Sequence, residues 1–314
     1  MKYNELGNTG LEVSAIAQGT WALGAAGWGD IDDKNSIKTI RKAVDLGVTL
    51  IDTAPIYGMG HSEEVVGKAV AGMRDKVVIA TKCGLVSGEG NKVERVLTAE
   101  SIRKEVDVSL KRLDTDYIDI YILHWPDVNT PVEESLGEME RLQRAGKIKH
   151  IGVSNFDREL LERSMKATKI ACIQPQLSLL SQESLDLIEF AGDNGIGVLT
   201  YGSLAAGMLT GKVKEIPKFE KHDIRANFYP FYKEPMFSKA LKLIEVLRNI
   251  SRDHSMPVSS VAINWIIQQP GVTSALTGAT MPDQIAENAL AGSWNLSPDE
   301  LALIDESYKK LMND

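Results

Sequence analysis

Short runs of β-branched and apolar residues recur along the chain, and the stretches between them carry apolar positions at steps of three and four. Eight such runs stand out: "VSAIAQGT", "VTLIDT", "KVVIATK", "YIDIYILHW", "IKHIGVSN", "IACIQPQ", "IGVLTYG" and "GVTSALTG". Of the intervening segments, "NSIKTIRKAVDLG" puts Ile37, Ile40, Ala43 and Val44 on one helical face and closes with Gly47 just past the helix end. "TAESIRKEVDVSLKRL", "PVEESLGEMERLQRAG" with Pro131 at its start, and "SQESLDLIEFAGDNG" repeat that pattern. Strands that are apolar on both faces and alternate with helices predict a parallel sheet, and eight units without a compositional break predict a closed α/β barrel, (β/α)8. One domain over residues 1–314 is expected, with extra helices at its C-terminal end. An open doubly wound sheet is the alternative, but "GTWALGAAGWG" after the first run lacks the G-x-G-x-x-G spacing. The "NTG" turn in "KYNELGNTGLEV" predicts an N-terminal β-hairpin covering the bottom of the barrel. From Lys212 to Pro235 no helical period is visible, and the aromatics there favour an ordered, functional loop.

Charge and composition narrow the function. The formal net charge of -8 opposes a phosphate-backbone footprint, and 6% aromatic content opposes a stacking surface for single strands. Cys83 and Cys172 lie in apolar runs and read as buried thiols, which suits a reducing cytoplasm. No apolar stretch has the length of a signal peptide core or a membrane span, so a soluble cytoplasmic protein with neither nucleic-acid nor membrane partners is expected. His61, His124, His150, His222 and His254 are scattered without ligand spacing, and no metal is expected.

In such a barrel the chemistry belongs to strand C-termini and the loops that follow them. Asp52 ends the second run and leads to Tyr57, Lys82 ends the third, and His124 ends the fourth. Singly each has a structural explanation, such as a loop cap, a rim aromatic, half of an ion pair or a satisfied polar residue. Together at one end of adjacent strands they point to an active site.

"GVTLIDTAPIYGMGHSEEVVGKAV", "VVIATKCG", "LKRLDTDYIDIYILHWPD", "AGKIKHIGVSNF" and "GATMPDQIAEN" occur in that order, and on them the chain resembles the aldo-keto reductase family. The resemblance implies reduction of an aldehyde or ketone, sugar-derived ones included, by hydride from a nicotinamide cofactor. It implies Asp52, Tyr57, Lys82 and His124 as the catalytic set. The chemistry is coherent: charge developing on a carbonyl oxygen needs a proton and hydrogen-bond donors. Tyr57 would give the proton, Lys82 would bring the phenol's pKa down, Asp52 would hold Lys82 charged, and His124 would position the substrate oxygen.

The resemblance further assigns Ser154, Asn155 and Gln174 to the nicotinamide carboxamide and Tyr201 to stacking on its ring. It assigns Ser203, Leu204, Gly207 and Lys212 to the pyrophosphate, and Gln284, Glu287 and Asn288 to the adenosine half. Gly19, Thr20, Trp21, Asp52, Gly278 and Thr280 complete the implied cofactor contacts. Trp21, Tyr57, His124, Trp125 and the loop from Arg225 to Tyr232 are the expected substrate walls. The resemblance leans to NADP(H), but relatives often carry a basic residue for the 2′-phosphate where this chain has Thr280 and Met281, which leaves NAD(H) open. Leu177 and Ser178 also depart from the family pattern. Two other readings stand: a nicotinamide-binding regulatory subunit with little turnover, and a Schiff-base lyase with Lys82 as nucleophile. Oligomeric state, natural substrate and direction are not legible.

Overall fold

The apolar runs form the staves of a barrel. The computed structural model describes residues 1–25, 27–28, 31–88, 92–220, 223, 225 and 229–313. A two-stranded hairpin, β1 (Tyr3–Glu5) and β2 (Glu12–Ser14), precedes the first stave, β3 (Ile16–Gly19). The others are β4 (Leu50–Asp52), β5 (Val78–Cys83), β8 (Ile118–Leu123), β9 (Ile148–Ser154), β10 (Cys172–Gln174), β11 (Gly197–Thr200) and β12 (Ser274–Gly278). They are all parallel, and the sheet closes where β12 pairs with β3 and β9 with β10. The (β/α)8 barrel read from the sequence is therefore the fold.

Both faces of each stave are covered, for different reasons. Inside, Ala17, Leu50, Ala80, Ile120, Cys172, Leu199 and Leu276 form one apolar cluster. Outside, their neighbours Ile16, Ile51, Ile79, Tyr121, Ile173 and Val198 join a larger cluster with the helices. Alternation along each strand thus runs between barrel interior and helix layer, and the sequence shows it as a continuous apolar run. Leu6 and Val13 of the hairpin are completely buried in the interior cluster, so the hairpin does close the bottom.

Helices α1 (Asp33–Asp45), α2 (His61–Val70), α3 (Ala99–Leu113), α4 (Val132–Arg144), α5 (Arg158–Ala167) and α6 (Leu185–Asp193) follow successive strands. Three of the six starts carry a side-chain cap: Asp32 accepts from Lys34 N, Thr98 from Ser101 N and Asp157 from Leu160 N. Two helices, α7 (Met236–His254) and α8 (Val258–Ile267), lie between β11 and β12. After β12 come α9 (Pro282–Ala289) and the C-terminal α10 (Pro298–Asn313), which packs on α7. No helix among the described residues is long and apolar enough to cross a membrane.

One element is absent from the sequence reading. β6 (Leu85–Ser87) and β7 (Val93–Arg95) form an antiparallel hairpin on the loop after β5. Every residue of β7 is exposed, so no buried face imposes an apolar alternation that could have signalled it. In the stretch from Lys212 to Pro235, Tyr229, Phe231 and Tyr232 are buried, as expected of an ordered loop. Parts of the expected Arg225 to Tyr232 wall, residues 226–228, lie outside the described residues, as does His222.

Candidate active site

Strand register brings the polar residues to one end. Gly278, Gly19 and Asp52 share a row across β12, β3 and β4, Lys82 pairs with Ile122, and Ser154 pairs with Gln174. Each row climbs as the strands tilt, so residues far apart in sequence ring one mouth.

Beyond Asp52 the chain turns sharply through Tyr57–Gly60, with positive φ at Gly58, Met59 and Gly60. Gly58 is required here, because a Cβ would lie 2.1 Å from the carbonyl oxygen of Gly24. That approach locks the Tyr57 turn against the segment after β3, where the Trp21 ring stacks near Tyr57 at 6.0 Å between centroids.

Lys82 is completely buried, and its ammonium donates to both Asp52 oxygens, at 2.8 and 2.7 Å, and to Thr53 O at 2.9 Å. Its remaining contact is with Tyr57 Oη at 3.3 Å. The Gln174 side-chain amide donates to Asp52 Oδ1 at 2.8 Å, so the carboxylate is fixed from two sides. Burial pushes Lys82 below the usual ammonium value, and the charge of Asp52 opposes that most strongly. His124 stands edge-on to Tyr57, 6.0 Å between ring centroids. Burial, with Lys82 second, depresses its pKa well below the ordinary value, so the imidazole is neutral near pH 7 and can donate an N–H.

Tyr57 differs from expectation in one respect. Burial, followed by the charge of Asp52, pushes the phenol well above its ordinary value rather than down. Loss of water around the buried phenol is the larger cause, and the negative charge of Asp52 adds to it. Tyr57 is therefore a phenol holding its proton, the form an acid needs.

Farther round the mouth, Asn155 adopts φ +59, a backbone region asparagine tolerates better than most residues. Its amide donates to His124 O at 2.9 Å and Ser154 Oγ at 3.0 Å, while Oδ1 accepts from Tyr201 Oη at 2.8 Å. One side chain thus ties together the loops after β8, β9 and β11. Ser203 donates to Leu276 O, and Lys212 pairs with Glu287 at 3.0 Å. At α9 the amides of Thr280 and Met281 and the Thr280 hydroxyl all converge on Gln284 Oε1.

A cavity of about 750 Å³ opens over these groups. It runs from the hairpin loop after β5, past Tyr57 and His124, to the N-terminus of α9. A profile of the Aldo/keto reductase family matches residues 15–309.

The chain belongs to the aldo/keto reductase family.

It is 42% identical to the aldo-keto reductase YhdN of Bacillus subtilis, over all of this chain and 96% of that one. It is 36% identical to an NADH-specific methylglyoxal reductase of Escherichia coli, over 99% of both chains. Among solved structures, a glycerol dehydrogenase from Gluconobacter oxydans superposes with a TM-score of 0.89 at 38% identity, covering 97% of this chain and 94% of that one. As an aldo/keto reductase the protein is an oxidoreductase dependent on a nicotinamide cofactor.

Of the site residues expected in this aldo/keto reductase, Asp52, Tyr57, His124 and Trp125 line the cavity, and Lys82 lies behind Asp52 and Tyr57. Gly19, Thr20, Trp21, Ser154, Asn155, Gln174 and Tyr201 line its middle. Ser203, Leu204, Gly207, Lys212, Gly278, Thr280, Gln284, Glu287 and Asn288 line the far end. Arg225, Tyr229 and Tyr232 are on its wall, whereas Leu177 and Ser178 are buried away from it. Sequence reasoning missed Trp28, Ile31, Leu85, Val93 and Val213. For Trp28 a signal existed, a large aromatic in a glycine-rich loop after the first strand. For Leu85 and Val93 none did, because their hairpin has no periodic pattern. Cys83 and Cys172 are buried and unpaired with each other. Among the described residues, no group of three or more His, Cys, Asp or Glu side chains could hold a metal ion.

Proposed function

We propose that this aldo/keto reductase converts a neutral aldehyde or ketone to the alcohol, with Tyr57 as the proton donor. The observation that carries the reading is the chain of contacts Asp52, Lys82, Tyr57, ending in a protonated phenol at the cavity floor beside neutral His124.

The residues present fit a dinucleotide along the cavity. Amide and hydroxyl groups of Ser154, Asn155 and Gln174 stand next to the Tyr201 ring, and Lys212 and the Ala205–Thr210 turn lie beyond them. These residues would hold the nicotinamide and pyrophosphate, respectively. When bound, the cofactor supplies the hydride that reaches the carbonyl carbon. The electron pair of the C=O bond moves to oxygen, and Tyr57 Oη gives that oxygen its proton. The Lys82 ammonium, 3.3 Å away, stabilises the phenolate left behind, while Asp52 and Gln174 keep Lys82 from turning. An N–H of His124 directs the substrate oxygen toward the phenol.

Two features support a neutral substrate. The Arg225 guanidinium, a cation on the substrate wall, is held by Asp223 through Nη2 at 2.6 Å and Nε at 2.9 Å. It faces the rings of Phe219 and Trp28 at 5.3 and 5.9 Å, so its charge is already matched. The named substrates of the two relatives, methylglyoxal and glycerol, are also neutral. At the adenosine end, Lys212 is engaged by Glu287 and Thr280 contributes only a hydroxyl. Among the described residues that end gives a 2′-phosphate no charge-assisted fork, so NADH serves at least as well as NADPH, against the lean from sequence.

The test is turnover of NADH and NADPH against aromatic aldehydes, dicarbonyls and sugars, beside Tyr57→Phe. Loss of turnover in the variant with cofactor binding intact is the expected result. Tight binding without turnover of any carbonyl by the wild type would favour the regulatory reading. The lyase reading has little room, because Lys82 Nζ is engaged by Asp52, Thr53 and Tyr57.

A further inference from the structure

Outside the barrel wall, behind the strand carrying Lys82, lies an ionisable cluster that the chemistry above does not use. Glu63, in the first turn of α2, is completely buried, and its carboxylate accepts from Thr81 Oγ1 at 2.7 Å and Arg112 Nη1 at 3.2 Å. Thr81 immediately precedes Lys82 on β5, so the two side chains leave opposite faces of the strand, one toward α2 and one into the barrel. Arg112, near the end of α3, lies flat on Gly60, the last residue of the turn that begins with Tyr57. A Cβ on Gly60 would come 2.2 Å from Arg112 Cζ. One buried carboxylate therefore touches the strand of the lysine directly and the turn of the tyrosine through a single guanidinium.

For stability alone, apolar residues of similar volume would often do as well as a buried ion pair. What they would not supply is charge. We propose that Glu63 is a positioning residue for the Lys82 and Tyr57 pair: it holds strand end and turn in one frame and places a second negative charge behind the lysine. The proposal rests on the functional reading of those two residues.

The electrostatics agree with the geometry. Lys82 is lowered by burial, and Glu63 joins Asp52 among the charges that oppose the loss of its proton. Burial raises Glu63 itself, while Thr81 and Arg112 pull it back toward the ionised form. The other groups facing Lys82 are Tyr57, Cys172 and His124, and those feeling Glu63 are Glu105 and Tyr121. None of these is a carboxylate on the Lys82 side of the wall, so among the described residues Asp52 and Glu63 are the two that bracket it.

The direct test is an NMR pH titration of the Lys82 resonance in protein isotopically labelled at lysine Cε, the signal being assigned by its absence in Lys82→Met. In Glu63→Gln the midpoint should fall by about one pH unit, the order that removing a unit charge from the far side of one strand gives at an effective dielectric near 20. The alkaline limb of kcat/KM should move the same way, since losing that charge also eases deprotonation of Tyr57. Thr81→Val, which keeps the side-chain shape, should give a smaller displacement in the same direction, and it decides the matter if Glu63→Gln does not fold. An unchanged Lys82 midpoint in the folded variants would overturn the proposal. A wild type that reduces no carbonyl would instead sink the functional reading, and the titration would still report on Glu63.

Discussion

The ion pair between Asp52 and Lys82 should behave as a unit in stability as well as in chemistry. Side-chain exposures of 4% and 0% leave neither charge an alternative partner in water. Lys82→Met keeps most of the stem volume but strips Asp52 of its ammonium, leaving a buried carboxylate with the Gln174 amide as its side-chain donor among the described residues. Asp52→Asn does the converse, leaving Lys82 with Thr53 O and Tyr57. Removing one member of a buried pair costs about 3–5 kcal/mol, whereas removing both costs less because no uncompensated charge remains. The coupling in a double-mutant cycle should therefore reach ~2 kcal/mol or more. For 314 residues an unfolding entropy of ~2.1 cal/mol/K per residue converts each kcal/mol to a Tm change of ~1.5 °C. Each single variant should melt ~4–8 °C lower, and the double variant should recover at least ~3 °C of the summed loss. Scanning calorimetry on the cofactor-free protein measures all four species under one condition. Strict additivity, or single variants that melt with the wild type, would refute the argument.

Because His124 is neutral well below its ordinary titration range, kcat/KM should show no acid limb near pH 6.5 and should decline only on the alkaline side, where Tyr57 or Lys82 loses its proton. A limb near neutrality that vanishes in His124→Gln would contradict this. Thr280→Arg places a cation beside the N-terminus of α9, and NADPH binding should tighten about tenfold relative to NADH, the scale of one charge-assisted contact. Fluorescence titration of both cofactors reads that ratio, and an unchanged ratio would mean the 2′-position points elsewhere. Leu6→Ala opens a gap in the fully buried barrel floor, and it should cost about 2–5 kcal/mol in denaturant unfolding while leaving cofactor affinity alone. A loss below ~1 kcal/mol would show that the floor collapses around the gap.

Much of the fold was legible because covering both faces of a strand leaves a signature that local sequence can carry. Ile51 packs against helices and Leu50 into the barrel, and both must be apolar, so "VTLIDT" reads as a buried strand before any tertiary fact is known. The same logic exposes Asp52, Lys82 and His124, polar residues at the ends of apolar runs. The hairpin of Leu85 and Val93 escaped because an exposed ribbon is under no such constraint. Electrostatics were legible in composition but not in sign. That Lys82 neighbours Tyr57 follows from strand order, but that burial and the charge of Asp52 raise the phenol depends on how deeply the folded chain covers it. Gln174 is similar: its position at a strand end was evident, whereas its bond to Asp52 is a matter of side-chain direction.

Closing the barrel through β3 and β12 ties together residues made far apart in time. Ile16 sits opposite Ala275, and Ser274 Oγ donates to Ser14 O, a separation of 260 residues. At about 5–20 residues per second, one edge of the first stave waits roughly 13–50 s on the ribosome for its partner. Throughout that interval its apolar interior face and unpaired backbone are open to other chains. A nascent chain stalled before residue 274 should therefore be aggregation-prone in a way that the finished barrel, which has no free edge, is not.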